Sequence, residues 1–154
     1  MDLILWRHAD AEDANAQGDL ARDLTKRGRK QAATMAEWLK PRLEGDWRVV
    51  ASPAARAVQT VEPLGADFEV SDALAPGASP QRVLREAGWP TAPTNVVVVG
   101  HQPTLGEIAA ELLHGSEGDV SMRKGAVWWF STRERDGTVE TVLKAVVNPD
   151  MAEA

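Results

Sequence analysis

The chain has 154 residues, 44% apolar and 26% charged, a composition typical of globular proteins that excludes a disordered or fibrous chain. Its 17 basic and 23 acidic residues leave a net charge of −6, which argues against general binding of nucleic acid or anionic membranes. The absence of cysteine excludes disulfides, thiolate catalysis and cysteine-based metal sites.

The first third of the chain combines a buried strand with a capped helix. Four apolar residues in a row at 3–6 predict a strand that is covered on both faces. After a polar loop at 9–23, the hydroxyl of Thr25 predicts the N-cap of a helix over 26–39. The apolar residues of that segment recur at three- and four-residue spacing, so one face of the helix should be buried.

Further strands and helices alternate along the rest of the chain. A strand at 48–51 is followed by Ser52 and Pro53, a cap residue and a proline at the first helical position, which predict a helix over 53–64. The clearest strand is 95–100, because its four consecutive valines are β-branched and apolar on both faces. The remaining predicted elements are a short strand at 68–70, a helix over 80–87 that Ser79 caps, a helix from Thr104 through Leu113, and a C-terminal hairpin with strands at 126–131 and 138–147.

This order of elements predicts the fold class. Strands that alternate with capped helices favour a parallel sheet with helices on both faces, and the terminal hairpin adds antiparallel strands. The sequence therefore predicts a three-layer α/β/α sandwich with a mostly parallel central sheet.

Ionisable side chains follow the two best strands at the point where each strand ends. Arg7 and His8 come directly after the first strand, and His101 follows the strand at 95–100. Because the carboxyl ends of parallel strands share one edge of a sheet, both histidines should project into one crevice. Arg56 enters the same crevice from the start of a helix, where free N–H groups favour an anion. Two guanidiniums match phosphate oxygens, so the sequence predicts a phosphate-binding pocket.

Four stretches resemble, in order, the motifs of the histidine phosphatase superfamily, whose fold is called phosphoglycerate-mutase-like. Arg7-His8 resembles its Arg-His-Gly signature, and residues 24–28 (Leu-Thr-Lys-Arg-Gly) resemble its Leu-Thr-x-x-Gly motif. Residues 52–60 resemble its Ser-Pro-x-x-Arg-x-x-Gln-Thr segment, and Gly100-His101 resembles its second histidine. With little inserted between the motifs, the chain is most similar to the SixA-type phosphohistidine phosphatases.

The resemblance implies a role for each matching residue. His8 would attack phosphorus in line and carry a transient phosphohistidine. Arg7, Arg56 and His101 would bind the equatorial oxygens and stabilise the charge of the transition state. Arg22 would be either a fourth phosphate contact or a solvated loop residue. No metal or organic cofactor is implied, because the arginines take the part that magnesium takes in kinases.

The protonation state of His8 is a further requirement of this chemistry. Its attacking nitrogen must be unprotonated, whereas the ordinary pKa of histidine is about 6.5. The neighbouring arginines disfavour the charged imidazole and should lower the pKa of His8.

Two departures from the family pattern bear on the substrate. Ala9 replaces the glycine of the signature and adds a methyl group near the phosphate. Family members that cleave phosphate esters have a glutamate general acid in the loop after the third strand, where residues 74–77 (Leu-Ala-Pro-Gly) offer none. A departing imidazole needs an acid less than an alkoxide does, so the sequence favours phosphohistidine. The carboxylates considered as substitutes are Glu69, Asp72, Asp10 and Glu12.

These features together predict one domain over residues 1–154, a monomeric and cytoplasmic phosphohistidine phosphatase. Its partner would be a signalling or phosphotransfer protein that carries phosphohistidine, with no nucleic-acid or membrane partner. The apolar run at the N-terminus is too short for a signal peptide or a membrane span. Two alternatives stay open, a small-molecule phosphomonoesterase with a loop carboxylate as its acid and a phosphate-binding regulatory module without activity.

Overall fold

The computed structural model describes residues 1–153, so Ala154 lies outside the description. The strands are β1 (Asp2–Arg7), β2 (Trp47–Ala51), β3 (Glu69–Val70), β4 (Asn95–Gly100), β5 (Val127–Arg135) and β6 (Thr138–Val147). The helices are α1 (Lys26–Leu39), α2 (Ala55–Val61), α3 (Pro80–Ala87), α4 (Thr104–His114) and α5 (Pro149–Ala152). Among residues 1–153, no helix combines the length and the apolarity that crossing a bilayer requires.

All six strands form one sheet in the order β3-β2-β4-β1-β5-β6. The strands β3, β2, β4 and β1 are parallel to one another. The C-terminal hairpin adds β5, which is antiparallel to β1, and β6, which is antiparallel to β5. β1 lies beside β4, with Arg7 opposite Gly100 at the carboxyl end of the pair. The predicted crevice therefore lies where two neighbouring central strands end together.

Helices cover both faces of the sheet, which confirms the three-layer sandwich. One core cluster packs α1 and α2 against alternate strand residues such as Ile4 and Trp6. The other packs α3 and α4 against the intervening residues, including Leu3 and Leu5. All four of these β1 residues are fully buried, as the unbroken apolar run at 3–6 predicts.

Most predicted boundaries are confirmed, but the helix predicted over 53–64 is wrong at its start. The helix begins at Ala55, with Ala54 as its N-cap residue in extended conformation. Ser52 does not cap α2, because its hydroxyl lies 2.7 Å from His101 Nε2 and accepts a hydrogen bond from the Ala54 N–H at 3.2 Å. The last three residues of the predicted helix, 62–64, form a separate 3-10 turn.

The C-terminal region contains more regular secondary structure than predicted. β5 continues to Arg135, four residues beyond the predicted end, because both strands run up to a tight turn at Asp136 and Gly137. Both turn residues have positive φ, 52° and 77°, as the common two-residue hairpin turns require. The short helix α5, which the sequence did not predict, packs against α1.

The loop after β1 is fixed to the start of α1 at Asp10. The Thr25 N–H donates to the Asp10 carbonyl at 3.0 Å, and the Thr25 hydroxyl donates to the Asp10 carboxylate at 2.7 Å. Thr25 also caps α1, since its hydroxyl accepts from the Gly28 N–H at 3.0 Å. A Cβ atom at position 28 would overlap the Asp10 carbonyl oxygen, so this approach requires glycine.

We expect Gly28→Ala to destabilise the protein by about 1–3 kcal/mol, because the added methyl group forces the loop away from α1. Urea unfolding followed by circular dichroism measures the change in the free energy of unfolding. Arg29→Ala, at an exposed position of the same helix, is the control and should stay within about 0.5 kcal/mol of the parent. Equal stability of Gly28→Ala and the parent would show that this packing is dispensable.

Candidate active site

A cleft of about 220 Å³ opens at the carboxyl ends of β1 and β4. The structure brings all five candidate site residues to its wall, and these are Arg7, His8, Arg22, Arg56 and His101. The two histidine rings lie with their centroids 5.1 Å apart, although 92 residues separate them in sequence. The backbone explains this closeness, since the His8 N–H donates to the Gly100 carbonyl at 3.0 Å and continues the β1–β4 pairing.

The hydrogen bonds of His8 determine which ring nitrogen is free. Its Nδ1 lies 2.8 Å from the Ala9 carbonyl oxygen, which can only accept, so Nδ1 carries the ring proton. The lone pair of Nε2 is therefore available. The backbone of Ala9 is also held on its N–H side, because the Ala9 N–H donates to Thr60 Oγ1 at 3.0 Å. This arrangement provides a neutral imidazole in one tautomer.

Both histidines are buried, and burial is the main cause of their low basicity. It lowers the pKa of His8 to about 4, with smaller contributions from the charges of Arg56, Arg7 and Arg22. Burial also lowers the pKa of His101 to about 3, helped mainly by the proximity of His8. The arginines thus act in the expected direction on His8, but removal from water has the larger effect.

The arginines are held by carbonyl groups and by one carboxylate. Arg56 is 4% exposed, and its Nη1 donates to the Asp19 carbonyl at 2.9 Å. Asp19 also places one carboxylate oxygen 3.2 Å from Arg56 Nη2 and the other 2.9 Å from Arg22 Nη1. Arg7 donates through Nη1 to the Met122 carbonyl at 2.6 Å. Within residues 1–153 the buried Nε atoms of Arg7 and Arg56 have no hydrogen-bond partner.

Ser52 is a site residue that the sequence reasoning missed, since it was assigned to a helix cap. It is fully buried, and its Oγ contacts His101 Nε2 at 2.7 Å. A usable signal was present in the chain, because Ser52 directly follows β2 just as His8 follows β1. A residue that directly follows a parallel strand lies at the same edge of the sheet as the two histidines, whatever its type.

None of the four carboxylates considered as general acids reaches the cleft wall. Glu69 pairs with Arg48 at 2.7 Å, and Asp10 pairs with Lys124 at 2.9 Å. Among the carboxylates of residues 1–153, the exposed Asp13 is the one that lines the cleft. The loop at 74–77 reaches the cleft through Pro76, which has no ionisable group.

The methyl group of Ala9 does not enter the cleft. It is fully buried in a small cluster with Ala11, Leu24 and Ala32 beneath the loop after β1. The replacement of the signature glycine therefore leaves the cleft wall unchanged at this point. Residues 1–153 contain no group of three or more His, Asp or Glu side chains placed to hold a metal ion.

Comparison with known proteins identifies the family. Residues 3–77 match the family model described as histidine phosphatase superfamily (branch 1). The chain is 31% identical over 140 residues to the phosphohistidine phosphatase SixA homolog of Haemophilus influenzae, which covers 79% of this chain and 82% of that protein. The chain belongs to the histidine phosphatase superfamily. It is also 34% identical over 126 residues to phosphohistidine phosphatase SixA of Escherichia coli, covering 75% of this chain and 76% of that one.

Solved structures place this superfamily member with the SixA type. The structure of the protein histidine phosphatase SixA complexed with tungstate matches with a TM-score of 0.77 and 28% identity. The match covers 97% of this chain and 98% of that one. The predicted resemblance is thus confirmed by a fold match over almost the whole length of the chain. The chain is a histidine phosphatase of the SixA type.

We expect the His8 ring to stay neutral at pH 5.5, where about nine-tenths of an ordinary histidine with a pKa of about 6.5 is protonated. The sign follows from burial, because a pKa lowered to about 4 means that the ring gains its second proton only as the pH falls through about 4. Nitrogen-15 NMR of the histidine rings, assigned with His8→Ala, measures this directly. A doubly protonated His8 at pH 5.5 would contradict the expectation.

Proposed function

We propose that this histidine phosphatase hydrolyses phosphohistidine on a signalling or phosphotransfer protein through a phosphohistidine formed on His8. The observation that carries the proposal is the state of the His8 ring, with Nδ1–H bonded to the Ala9 carbonyl and Nε2 left free in a cleft of arginines. Two further features support it. The relatives from Haemophilus influenzae and Escherichia coli carry the name phosphohistidine phosphatase, and the cleft lacks a carboxylate at residues 74–77.

In the first step, the lone pair of His8 Nε2 forms a bond to phosphorus while the P–N bond of the substrate breaks. The electrons of that bond return to the departing ring nitrogen. A substrate imidazole already protonated at its second nitrogen leaves as a neutral ring, so the step needs no external acid. The His8 proton stays on Nδ1 against the Ala9 carbonyl, and the phosphoryl group passes between two rings in the same protonation state.

In the second step, a water oxygen attacks phosphorus and the bond to His8 Nε2 breaks. The electron pair returns to Nε2, and the two hydrogens of the water leave with the product as dihydrogen phosphate. Arg7, Arg22, Arg56 and His101 would bind the three equatorial oxygens in both steps and stabilise the charge of each transition state. The roles of these residues are part of the proposal.

A second candidate function is the hydrolysis of small phosphate esters, and the position of Asp13 is the observation that favours it. An alkoxide leaving group gains typically about 10²–10⁴-fold in rate from a positioned acid. Asp13 lies on the cleft wall and is exposed to solvent. The phosphohistidine reaction does not need this group, whereas the ester reaction does.

We expect rapid phosphate release from a histidine-phosphorylated carrier protein and weak release from a panel of sugar and nucleotide phosphates. His8→Ala should lose at least about 10³-fold in kcat/KM, because it removes the attacking nitrogen. His114→Ala is the matched control, since His114 is exposed at the end of α4, and it should keep the activity of the parent. Acid quenching of the parent should trap no ester-type adduct, and an alkaline quench should trap phosphate on His8.

Two outcomes would contradict this proposal. Fast ester turnover that falls in Asp13→Asn, together with an inert phosphoprotein, would establish the small-molecule phosphatase. Turnover of neither substrate above the His8→Ala blank would establish a site that binds phosphate without catalysis.

A further inference from the structure

A second cleft of about 280 Å³ lies beside the catalytic cleft and shares Lys124 with it. Its charged lining residues are three cations, Arg27, Arg123 and Lys124, and two anions, Asp10 and Asp150. We call this region the side cleft. The catalytic mechanism uses none of its residues, so its presence calls for a separate explanation.

Two cations of the side cleft, Arg27 and Arg123, have no carboxylate partner within residues 1–153. Lys124 is paired with Asp10, and Asp150 is the one lining anion without a cationic partner in the same range of residues. Asp10 is already engaged, because one of its carboxylate oxygens accepts from Thr25 and the other from Lys124. Arg27 and Arg123 are both exposed, and no carboxylate of residues 1–153 lies within 4.0 Å of either guanidinium. In a protein of net charge −6, the side cleft is therefore a locally cationic surface next to the catalytic residues.

The elements that carry these arginines are fixed to the catalytic strand. Arg123 follows Met122, whose carbonyl accepts from Arg7, and the nearby Gly125 N–H donates to the His8 carbonyl at 3.1 Å. Arg27 lies in the first turn of α1, next to the close contact between Gly28 and Asp10. The backbone positions of both arginines are thus anchored close to the catalytic cleft.

We propose that the side cleft docks an acidic segment that flanks the phosphohistidine of the partner protein. This inference rests on the proposed function and adds the chemistry of the partner. The net negative charge of this protein repels an acidic partner, and the attraction at Arg27 and Arg123 turns the phosphohistidine towards the catalytic cleft. Charged rims of this kind act chiefly on encounter rate and selectivity, and salt weakens their effect.

The test compares two synthetic phosphohistidine peptides, one with Glu and the other with Lys at the three positions on each side of the phosphohistidine. At low ionic strength the parent should have at least about ten-fold higher kcat/KM for the Glu peptide, with the difference in KM. The R27E/R123E variant should lose this preference, while R85E/R135E, with the same change of charge at exposed arginines elsewhere, should keep it. Added salt at 0.5 M should shrink the preference in the parent.

Binding separates this inference from the proposed function. Fluorescence anisotropy of labelled peptides on His8→Ala should show tighter binding of the Glu peptide, and R27E/R123E should remove the difference. If the Glu peptide binds in this way but the parent does not hydrolyse it, the side cleft stands and the proposed function fails. Equal affinity for the two peptides, or a preference that R27E/R123E keeps, would overturn the docking proposal.

A second inference rests on independent contacts, those between Ser52 and His101. The Ser52 hydroxyl accepts from the Ala54 N–H, so its own hydrogen needs another acceptor, and His101 Nε2 lies 2.7 Å away. If that hydrogen goes to Nε2, the single proton of the neutral ring is on Nδ1. Nδ1 is buried and has no partner within residues 1–153, so it is free to donate to a ligand. The opposite tautomer would leave both the hydroxyl hydrogen and the Nδ1 lone pair unpaired in a buried site.

We infer that Ser52 is a positioning residue that holds His101 in the tautomer with Nδ1–H directed to the phosphoryl oxygen. Through this contact, the segment at 52–60 would act on the second histidine as well as supplying Arg56. The inference concerns the ring of His101 and does not depend on which phosphorylated substrate the enzyme takes.

The test pairs Ser52→Ala with Ser71→Ala. Ser71 makes the same local contact, accepting from the Ala73 N–H at 3.2 Å, but touches no histidine. Nitrogen-15 NMR should show His101 protonated at Nδ1 in the parent and in Ser71→Ala, and a mixture of tautomers in Ser52→Ala. We also expect kcat to fall about ten-fold in Ser52→Ala with little change in KM, because a donor to the transition state is misplaced. Protonation at Nε2 in the parent, or an unchanged tautomer in Ser52→Ala, would overturn the inference.

Discussion

The parallel pairing of β1 with β4 is the constraint on which the rest of the site depends. It places Arg7 opposite Gly100 and so makes His8 and His101 neighbours at one edge of the sheet. The pairing continues one residue past the strands through the bond from the His8 N–H to the Gly100 carbonyl. Because both strands are buried on both faces, a shift of register would force side chains in both core layers to repack. The stability of the core and the geometry of the site therefore have the same origin.

Burial also sets the chemistry of the two rings. Placed at the ends of central strands, His8 and His101 are removed from water, and this lowers the pKa of each below the range of an exposed histidine. Asp19 reduces the electrostatic repulsion among the guanidiniums around the rings, because its carboxylate contacts both Arg22 and Arg56. A protein with a net charge of −6 thereby maintains a cationic cleft in which a buried, neutral imidazole lies beside three arginines.

Buried backbone and hydroxyl contacts give this pocket its fixed geometry. Thr60 accepts from the N–H of Ala9, the residue whose carbonyl orients the His8 ring, and Ser52 contacts His101, so both histidines depend on the segment that also carries Arg56. A close backbone contact also fixes the loop after His8, because Gly28 allows this loop to lie directly on α1. The segment at 52–60, which matches one family motif, therefore supplies contacts to the backbone beside His8 and to the ring of His101.

The sequence by itself determined the fold class, most of the element boundaries and four of the residues that gather at the cleft, Arg7, His8, Arg56 and His101, while Arg22 came from the family resemblance alone. It did so because apolar runs and cap residues are local signals, and because strands in a parallel sheet must end at a common edge. The neighbouring positions of β1 and β4, and with them the 5.1 Å between the histidine rings, were decided by tertiary structure alone. The same is true of Ser52, whose hydroxyl suits either a helix cap or a histidine, and of Asp13 and the side cleft. The partner of such a group is a residue far away in the chain, and a local sequence pattern does not identify it.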